Sequence, residues 1–530
     1  GRDSEFRVAA GVIYILKESV SKSGNTCYPR EETVAEAANL LGVDEELVRS
    51  VADGLVLERR IKLTETSDAE VYVLPGVYRT EKNAAVLLER LIEAADSTVY
   101  DVTGDIEAYE KINNITLAPN QREAVRAAIT SGVALVTGGP GTGKTTIIKC
   151  ILDVFDHIGK KVTLMAPTGR AAKRMSEATG GEASTIHRAL GLKREEYLEE
   201  SEPLSSDVVI VDEFSMVDMW LAEKFFERMK ANARIVLVGD PDQLPSVGAG
   251  NVFREIIETQ IVPVTVLDQI FRQSKDSLIA YNAKFINEGN TKLFYGPDFV
   301  FVSGDSQEDT AEKITERYCL EIQESGIENV QILSPFRSEG AASSEQLNET
   351  IRELVNPFRS AEEEIKFGPR IFRVNDRIMQ TKNTEKVSNG DLGFIRYIKD
   401  TDQGKKIGMD FGAGRTLEYG VDDLSNVDLA YATTIHKAMG SEYETVIMPL
   451  LKAHTIMMYR NLLYTGITRA KKRVVLIGQK QVLFMAIHRN EIGKRNTLLG
   501  MRIQMYFKAY AKKAGIPIPA ALEEQLKNAS

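Results

Sequence analysis

From about residue 110 to 255, apolar residues gather in short runs, "GVALVTG", "KVTLMAP", "DVVIVDE" and "ARIVLVGD", separated by stretches with helical spacing. Each run ends in small or polar residues, as buried parallel strands do where they pass into ligand-facing loops. The pattern predicts a wound α/β unit over 106–258. A second set, "VQILSPF", "ETVIMPLL" and "RVVLIG", predicts another unit over 259–367 and 428–530. Between its first two members, residues 368–427 alternate at period two with turn signals, which predicts a small inserted β-barrel. Residues 1–105 differ. "EETVAEAANLLGVDEELVRSVADGLVLERRIKLTETSDAEVYVL" reads as helix, turn at Gly42, helix, then two short strands around a polar tip, the pattern of a winged helix-turn-helix. Such a unit contacts DNA or docks on its neighbours. The second helix, from Asp44 to Leu55, is acidic where a groove-reading helix should be basic, which favours docking.

The length of 530 residues accommodates several separate cores, and 43% hydrophobic with 27% charged content is that of ordinary globular proteins. The net charge of -10 argues against a nucleic-acid partner only on average, because an acidic exterior can enclose a basic channel. The segments Arg170 to Arg174 and Arg469 to Arg473 are locally basic. Cys27, Cys150 and Cys319 lie far apart, which gives neither a disulfide framework nor a zinc site and points to a reducing, cytoplasmic location. No run approaches the roughly 20 apolar residues of a membrane span, and "VAAGVIYILKESV" reads as a core-facing helix. The chain opens "GRDSEF" without Met, so a fragment of a longer protein is expected.

"GGPGTGKTT", Gly138 to Thr146, follows the strand "VALVT" and precedes the helical "IIKCILDVF". This is a phosphate-binding loop in its proper context: glycines let backbone N–H groups converge on phosphate oxygens at a helix N-terminus. Gly139, Gly141, Thr142, Gly143 and Thr146 form the cradle, Lys144 pairs the β and γ phosphates, and Thr145 ligates magnesium. "VVIVDEFS" sets Asp212 and Glu213 at the mouth of a buried strand, the first to complete the metal shell and the second to orient the attacking water. In "VGDPDQLPSVGAG", Gln243 is an uncharged amide able to donate to a phosphate oxygen and accept from a water.

These segments, with "APNQREAV", "APTGRAAKRM", "ASTIHRAL", "LDQIFRQ", "QILSPFR", "NGDLGFI", "YATTIHKAMGSEYETVI" and "NLLYTGITRAKKRVVLIG", resemble the RecD-like DNA helicases of superfamily 1 in the family's order, from Leu117 to Leu499. The resemblance implies an α/β architecture of two RecA-like P-loop motor domains, an inserted SH3-like β-barrel and an N-terminal winged-helix-like domain. It implies ATP and Mg2+ as cofactors and makes Lys144, Asp212, Glu213, Gln243, Arg272 and Arg469 catalytic, the two arginines reaching the γ-phosphate. It makes Gln121 an adenine reader and Glu442 a ribose contact, and places Pro167, Thr168, Arg170, Ser334, Pro335, Thr434, His436 and Lys437 along single-stranded DNA. A strand-separating pin falls at about 191–206, with Tyr197 as its aromatic.

The implied activity is ATP-driven 5′-to-3′ movement on single-stranded DNA with unwinding of ss/ds junctions, in repair or recombination, by a monomeric motor away from membranes. Two other readings fit less of the chain: a translocase without strand separation or acting on RNA, and a non-catalytic DNA-binding subunit, the latter opposed by the full set of motor residues. A nuclease has little support, since "EEIK" at 363–366 lacks a preceding carboxylate strand.

Overall fold

The computed structural model describes residues 4–66, 68–94, 100–192, 202–269, 277–384, 386–402, 404–412, 414–491 and 495–519. Two parallel sheets form its frame. In the first, strands lie in the order Ala183–Thr185, Val162–Ala166, Val208–Val211, Arg234–Gly239, Val133–Gly138, Val264–Leu267. All five pairings are parallel. Strands Val133–Gly138 and Val208–Val211 are buried along their whole length, which explains why their sequences are continuous apolar runs. One face packs on helix Lys144–His157 through Ile147, Ile151 and Phe155. The other packs on Phe214, Phe225 and Phe253, whose rings meet at 5.8 and 6.0 Å from Phe214. Truncating Phe214 to Ala would cost about 3–5 kcal/mol and loosen the turn that carries Glu213.

Two boundaries differ from the pattern-based ones. Strand Val264–Leu267 pairs with Val133–Gly138, so the first sheet runs past residue 258. It is short and half-exposed at alternate positions, which hides it among the apolar residues of the connection. The C-terminal helix Leu499–Ala514 follows the second sheet in sequence, yet Leu499 and Ile503 pack with Ala84 and Leu88 on the first unit's core.

The second sheet has the order Phe299–Ser303, Ala470–Gly478, Tyr443–Leu450, Val330–Ser334, Ala432–Thr434, again all parallel. Between its strands the chain builds five antiparallel strands in the order Thr416–Tyr419, Gly404–Asp410, Leu392–Thr401, Arg377–Gln380, Val427–Leu429. A two-stranded ribbon, Glu364–Phe367 with Arg370–Arg373, precedes them, so the β segment begins slightly before residue 368. Glu364, from the "EEIK" stretch, is tied to Arg373 at 2.8 Å in that ribbon, a structural role.

In the N-terminal unit, helices Glu5–Ser23, Arg30–Leu41 and Glu45–Leu57 enclose Val8, Val12, Leu16, Val34, Val48 and Leu55. The wing strands Lys62–Glu65 and Glu70–Val73 are antiparallel, and Tyr28–Pro29 adds a third. The unit is docked. Glu81, fully buried, accepts from Thr26 Oγ1 (2.7 Å), the Leu498 N–H (2.9 Å) and Arg502 Nε (3.2 Å). Helix Pro75–Glu93 enters the first unit's core through Ala84, Ala85, Leu88 and Leu91.

Candidate active site

The carboxyl end of the first sheet faces the amino ends of strands Tyr443–Leu450 and Ala470–Gly478 of the second across a cleft of about 1080 Å³. From the first unit come Gln121, Gly139 to Thr146, Arg174, Asp212, Glu213 and Gln243; from the second, Glu442, Arg469 and Lys471. Sequence positions more than 300 residues apart thus meet at one site, where α/β sheets place their ligands.

The loop before helix Lys144–His157 turns through Gly141 and Gly143 at φ of +72° and +86°, a region that other residues enter only under strain. Lys144 Nζ donates to the Gly138 and Gly139 carbonyls, the latter at 2.9 Å, so the cation sits inside its own loop. Gln121 is buried and bonded at both ends of its amide. Its Oε1 accepts from the Ala118 N–H at 3.0 Å and its Nε2 donates to the Thr142 carbonyl at 3.2 Å, tying helix Pro119–Thr130 to the phosphate loop.

Asp212 and Glu213 are both buried, and Glu213 has φ +54° and ψ +37°, a left-handed conformation that costs about 1–3 kcal/mol for a residue other than glycine. The Glu213 N–H donates to Asp212 Oδ1 at 2.8 Å. Burial, then the neighbouring Glu213 charge, pushes the Asp212 carboxyl up. Burial opposes ionisation of Glu213 as well, but the Arg174 and Arg469 guanidiniums outweigh it and hold this carboxyl below its ordinary value. The pair is thereby split, with Glu213 as the more firmly ionised member.

Arg469 is buried, lies 3.9 Å from Glu213 Oε1 and donates to the Ser441 carbonyl at 3.2 Å; its Nε has no partner among the described residues. Arg174 is nearer still. Its Nη2 is 2.7 Å from Glu213 Oε1 and 3.5 Å from Asp212 Oδ2, and its Nη1 is 2.9 Å from Glu442 Oε1. Glu442 also meets Lys471 at 3.3 Å. Arg174 is a cleft position that motif reading passes over, although its spacing of four from Arg170 sets both on one helix face.

Gln243 is buried beside the cleft, its Nε2 3.3 Å from Asp240 Oδ2. Its loop is bonded to the second unit: the Leu244 N–H donates to Thr465 Oγ1 and Asn461 Nδ2 to the Asp242 carbonyl, both at 2.8 Å. Arg272 lies outside the described residues, as does most of the pin-like stretch, 193–201, including Tyr197. Ser277, just after the first of these gaps, lines the cleft.

The positions assigned to DNA divide. Pro167, Thr168, Thr434 and His436 are half-buried and Lys437 is exposed. Burial lowers the His436 imidazole, so it is neutral at pH 7. Thr434 and Lys437 line a groove of about 390 Å³ with Arg337, Arg370, Glu345, Glu349 and Asp428, the last paired with Lys437 at 2.8 Å and Arg370 at 3.0 Å. Ser334 and Pro335 are buried, the Ser334 hydroxyl donating to the Ala342 carbonyl at 2.8 Å. Arg170 donates to Ser441 Oγ (2.6 Å) and Tyr443 Oη (3.1 Å), bridging the two units.

The donor set suits a magnesium nucleotide. Magnesium in such sites takes one or two protein oxygens and completes its shell with phosphates and water. Buried Asp212 and the Thr145 of the phosphate loop line the same cleft and fit that habit, and a cation, Arg174, already balances the carboxylates.

Family models match three stretches: an AAA domain at 116–296, the SH3 domain of ATP-dependent RecD-like DNA helicases at 347–411, and a UvrD-like helicase C-terminal domain at 429–477. The chain is 31% identical to the ATP-dependent RecD2 DNA helicase of Deinococcus radiodurans, over 95% of its own length and 70% of the relative's. It is 29% identical to the RecBCD enzyme subunit RecD of Mycolicibacterium smegmatis, over 70% and 73%. Among solved structures, a Bacteroides Pif1 helicase in complex with ADP-AlF3 and ssDNA matches with a TM-score of 0.44 at 18% identity, over 76% of this chain and 98% of the other. On the extent and identity of the RecD2 match, the chain belongs to the RecD-like DNA helicases of superfamily 1.

Proposed function

We propose that this chain is an ATP-driven DNA helicase that moves 5′ to 3′ along a single strand. The observation that carries the reading is the cleft itself: the phosphate loop and both carboxylates come from one sheet, and a buried arginine from the facing sheet stands 3.9 Å from Glu213. An arginine supplied across a domain cleft makes hydrolysis depend on the relative position of the domains, which is the requirement for a motor. The direction comes from the family.

In this reading Lys144 leaves the Gly138 and Gly139 carbonyls for the β and γ phosphates, and the N–H groups from Gly141 to Thr146 hold the rest of the phosphate chain. Asp212 and Thr145 hold the metal, whose chemistry when bound is to neutralise charge on the phosphate oxygens. Glu213, kept ionised by its arginines, orients the attacking water, and Gln243 bonds water and phosphate without adding negative charge. Arg469, with Arg272 as a second candidate, neutralises charge developing on the transferred group. Gln121 selects adenine and Glu442 holds the ribose.

Single-stranded DNA lies across the top of both units. Pro167 and Thr168 grip it from one side, Thr434, His436 and Lys437 from the other, with Ser334 and Pro335 contributing through their backbone. These groups hold phosphate and sugar without reading sequence. Arg170 acts by joining the two grips. ATP hydrolysis measured with and without single-stranded DNA tests the reading. Strong stimulation that Lys144→Ala abolishes is expected; equal hydrolysis by that variant would overturn it.

A further inference from the structure

Arg174 enters the chemistry above only through the charge it lends Glu213, yet it touches all three carboxylates that line the cleft. Its three contacts, to Glu213, Asp212 and Glu442, span both units. Adjacent buried carboxylates repel strongly in a medium of low dielectric, so Asp212 and Glu213 need a resident cation when no metal is bound. A metal nucleotide brings a second cation to the same oxygens. The two cations cannot both be held closely by Asp212 without strong repulsion between them.

Arg174 also belongs to helix Gly169–Thr179, which is capped by Thr168 through an acceptor bond from the Ala171 N–H at 3.2 Å. Four residues before Arg174, Arg170 reaches Ser441 and Tyr443, the neighbours of Glu442. A β-carbon on Gly440 would stand 2.6 Å from Thr168 Oγ1, so the start of the helix and the 440–443 segment lie in direct apposition. One rigid helix therefore carries a strand-facing end and a carboxylate-facing arginine, both fastened to the same stretch of the other unit.

We infer that Arg174 is a resident counter-cation that the metal nucleotide displaces from Asp212, and that this exchange couples nucleotide binding to the strand-facing end of helix Gly169–Thr179. The inference rests on the nucleotide reading above. Arg174 is a positioning residue, acting through Asp212, Glu213 and Glu442.

The test is a magnesium titration of nucleotide binding, with a fluorescent non-hydrolysable ATP analogue and the full chain. Arg174→Gln removes the competitor, so half-saturating Mg2+ falls about fivefold or more. In the same variant, the difference in single-strand affinity between nucleotide-bound and free protein shrinks. Arg174→Lys keeps a charge but not the fork that spans three carboxylates, and its half-saturating Mg2+ falls by about twofold. If Arg174→Gln fails to fold by circular dichroism, an unchanged value for Arg174→Lys overturns the inference. So does an unchanged or raised value for a folded Arg174→Gln, and so does loss of nucleotide binding at every Mg2+ concentration, which would make Arg174 a nucleotide ligand. Absence of magnesium-dependent binding in the unaltered chain would instead sink the nucleotide reading, and this inference with it.

Discussion

The Tyr464 hydroxyl, from the second motor unit, donates to Asp240 Oδ2 of the first at 2.8 Å, and the same oxygen accepts from Gln243 Nε2 at 3.3 Å. The hydroxyl also stands 2.9 Å from where a β-carbon on Gly139 would lie, so one side chain reaches the phosphate loop and the Gln243 loop together. Burial and the adjacent Asp240 push the Tyr464 phenol well above its ordinary value, which keeps it a donor. Removing one donor from a buried carboxylate costs about 1–3 kcal/mol, and here the cost falls on the joint between units. Tyr464→Phe is therefore expected to lower DNA-stimulated kcat about tenfold, equivalent to about 1.4 kcal/mol, while nucleotide affinity stays within about twofold. Steady-state hydrolysis with an equilibrium nucleotide titration checks the split; an equal loss in both would assign Tyr464 to nucleotide binding.

Gln243→Ala should retain most ATP and DNA binding and lose DNA-stimulated hydrolysis. The loop keeps its backbone anchors to Thr465 and Asn461, so the variant removes an amide without freeing the loop. Binding by fluorescence anisotropy, set beside the stimulated rate, checks this; full unwinding by the variant would refute the role.

Much of this was legible in the chain because continuous apolar runs mark strands buried on both faces, and a glycine-rich turn before a helix has few other uses. What escaped has a physical reason. Strand Val264–Leu267 follows the 258 boundary because a four-residue, half-exposed strand has no distinctive period. Arg170 and Arg174 have the same composition signal, a basic helix face, and only the folded position of residues 441–443 shows that both bridge the units. Tyr464 and Asp240 lie within "NLLYTGITRAKKRVVLIG" and "VGDPDQLPSVGAG", but neither residue announces a role there, since a tyrosine on a helix and an aspartate after a strand are common. Their pairing depends on contact between residues far apart in sequence. Glu81 was likewise invisible: a carboxylate on an amphipathic helix reads as solvated until Arg502 and the Leu498 N–H arrive from the C-terminal segment.

Stability should depend on pH through Glu255. Burial, with the neighbouring Glu81 charge, pushes this carboxyl from its ordinary value of 4.5 up to about 8, and its Oε2 has no partner among the described residues. The folded form thus holds a proton that the unfolded chain releases above about pH 4.5. The stability tied to that proton is fully present below pH 4.5 and is lost progressively as pH rises to about 8. Glu255→Gln keeps the neutral shape at every pH. Its melting midpoint should exceed that of the unaltered chain at pH 8, with the difference vanishing near pH 4.5; a difference constant with pH would contradict the assignment.

The central claim, a DNA motor that moves 5′ to 3′, meets its most direct test in strand separation of matched duplexes bearing a 5′ or a 3′ single-stranded tail, with and without ATP. ATP-dependent unwinding of the 5′-tailed substrate is expected, with little of the 3′-tailed one. Equal or better unwinding from the 3′ tail would contradict it.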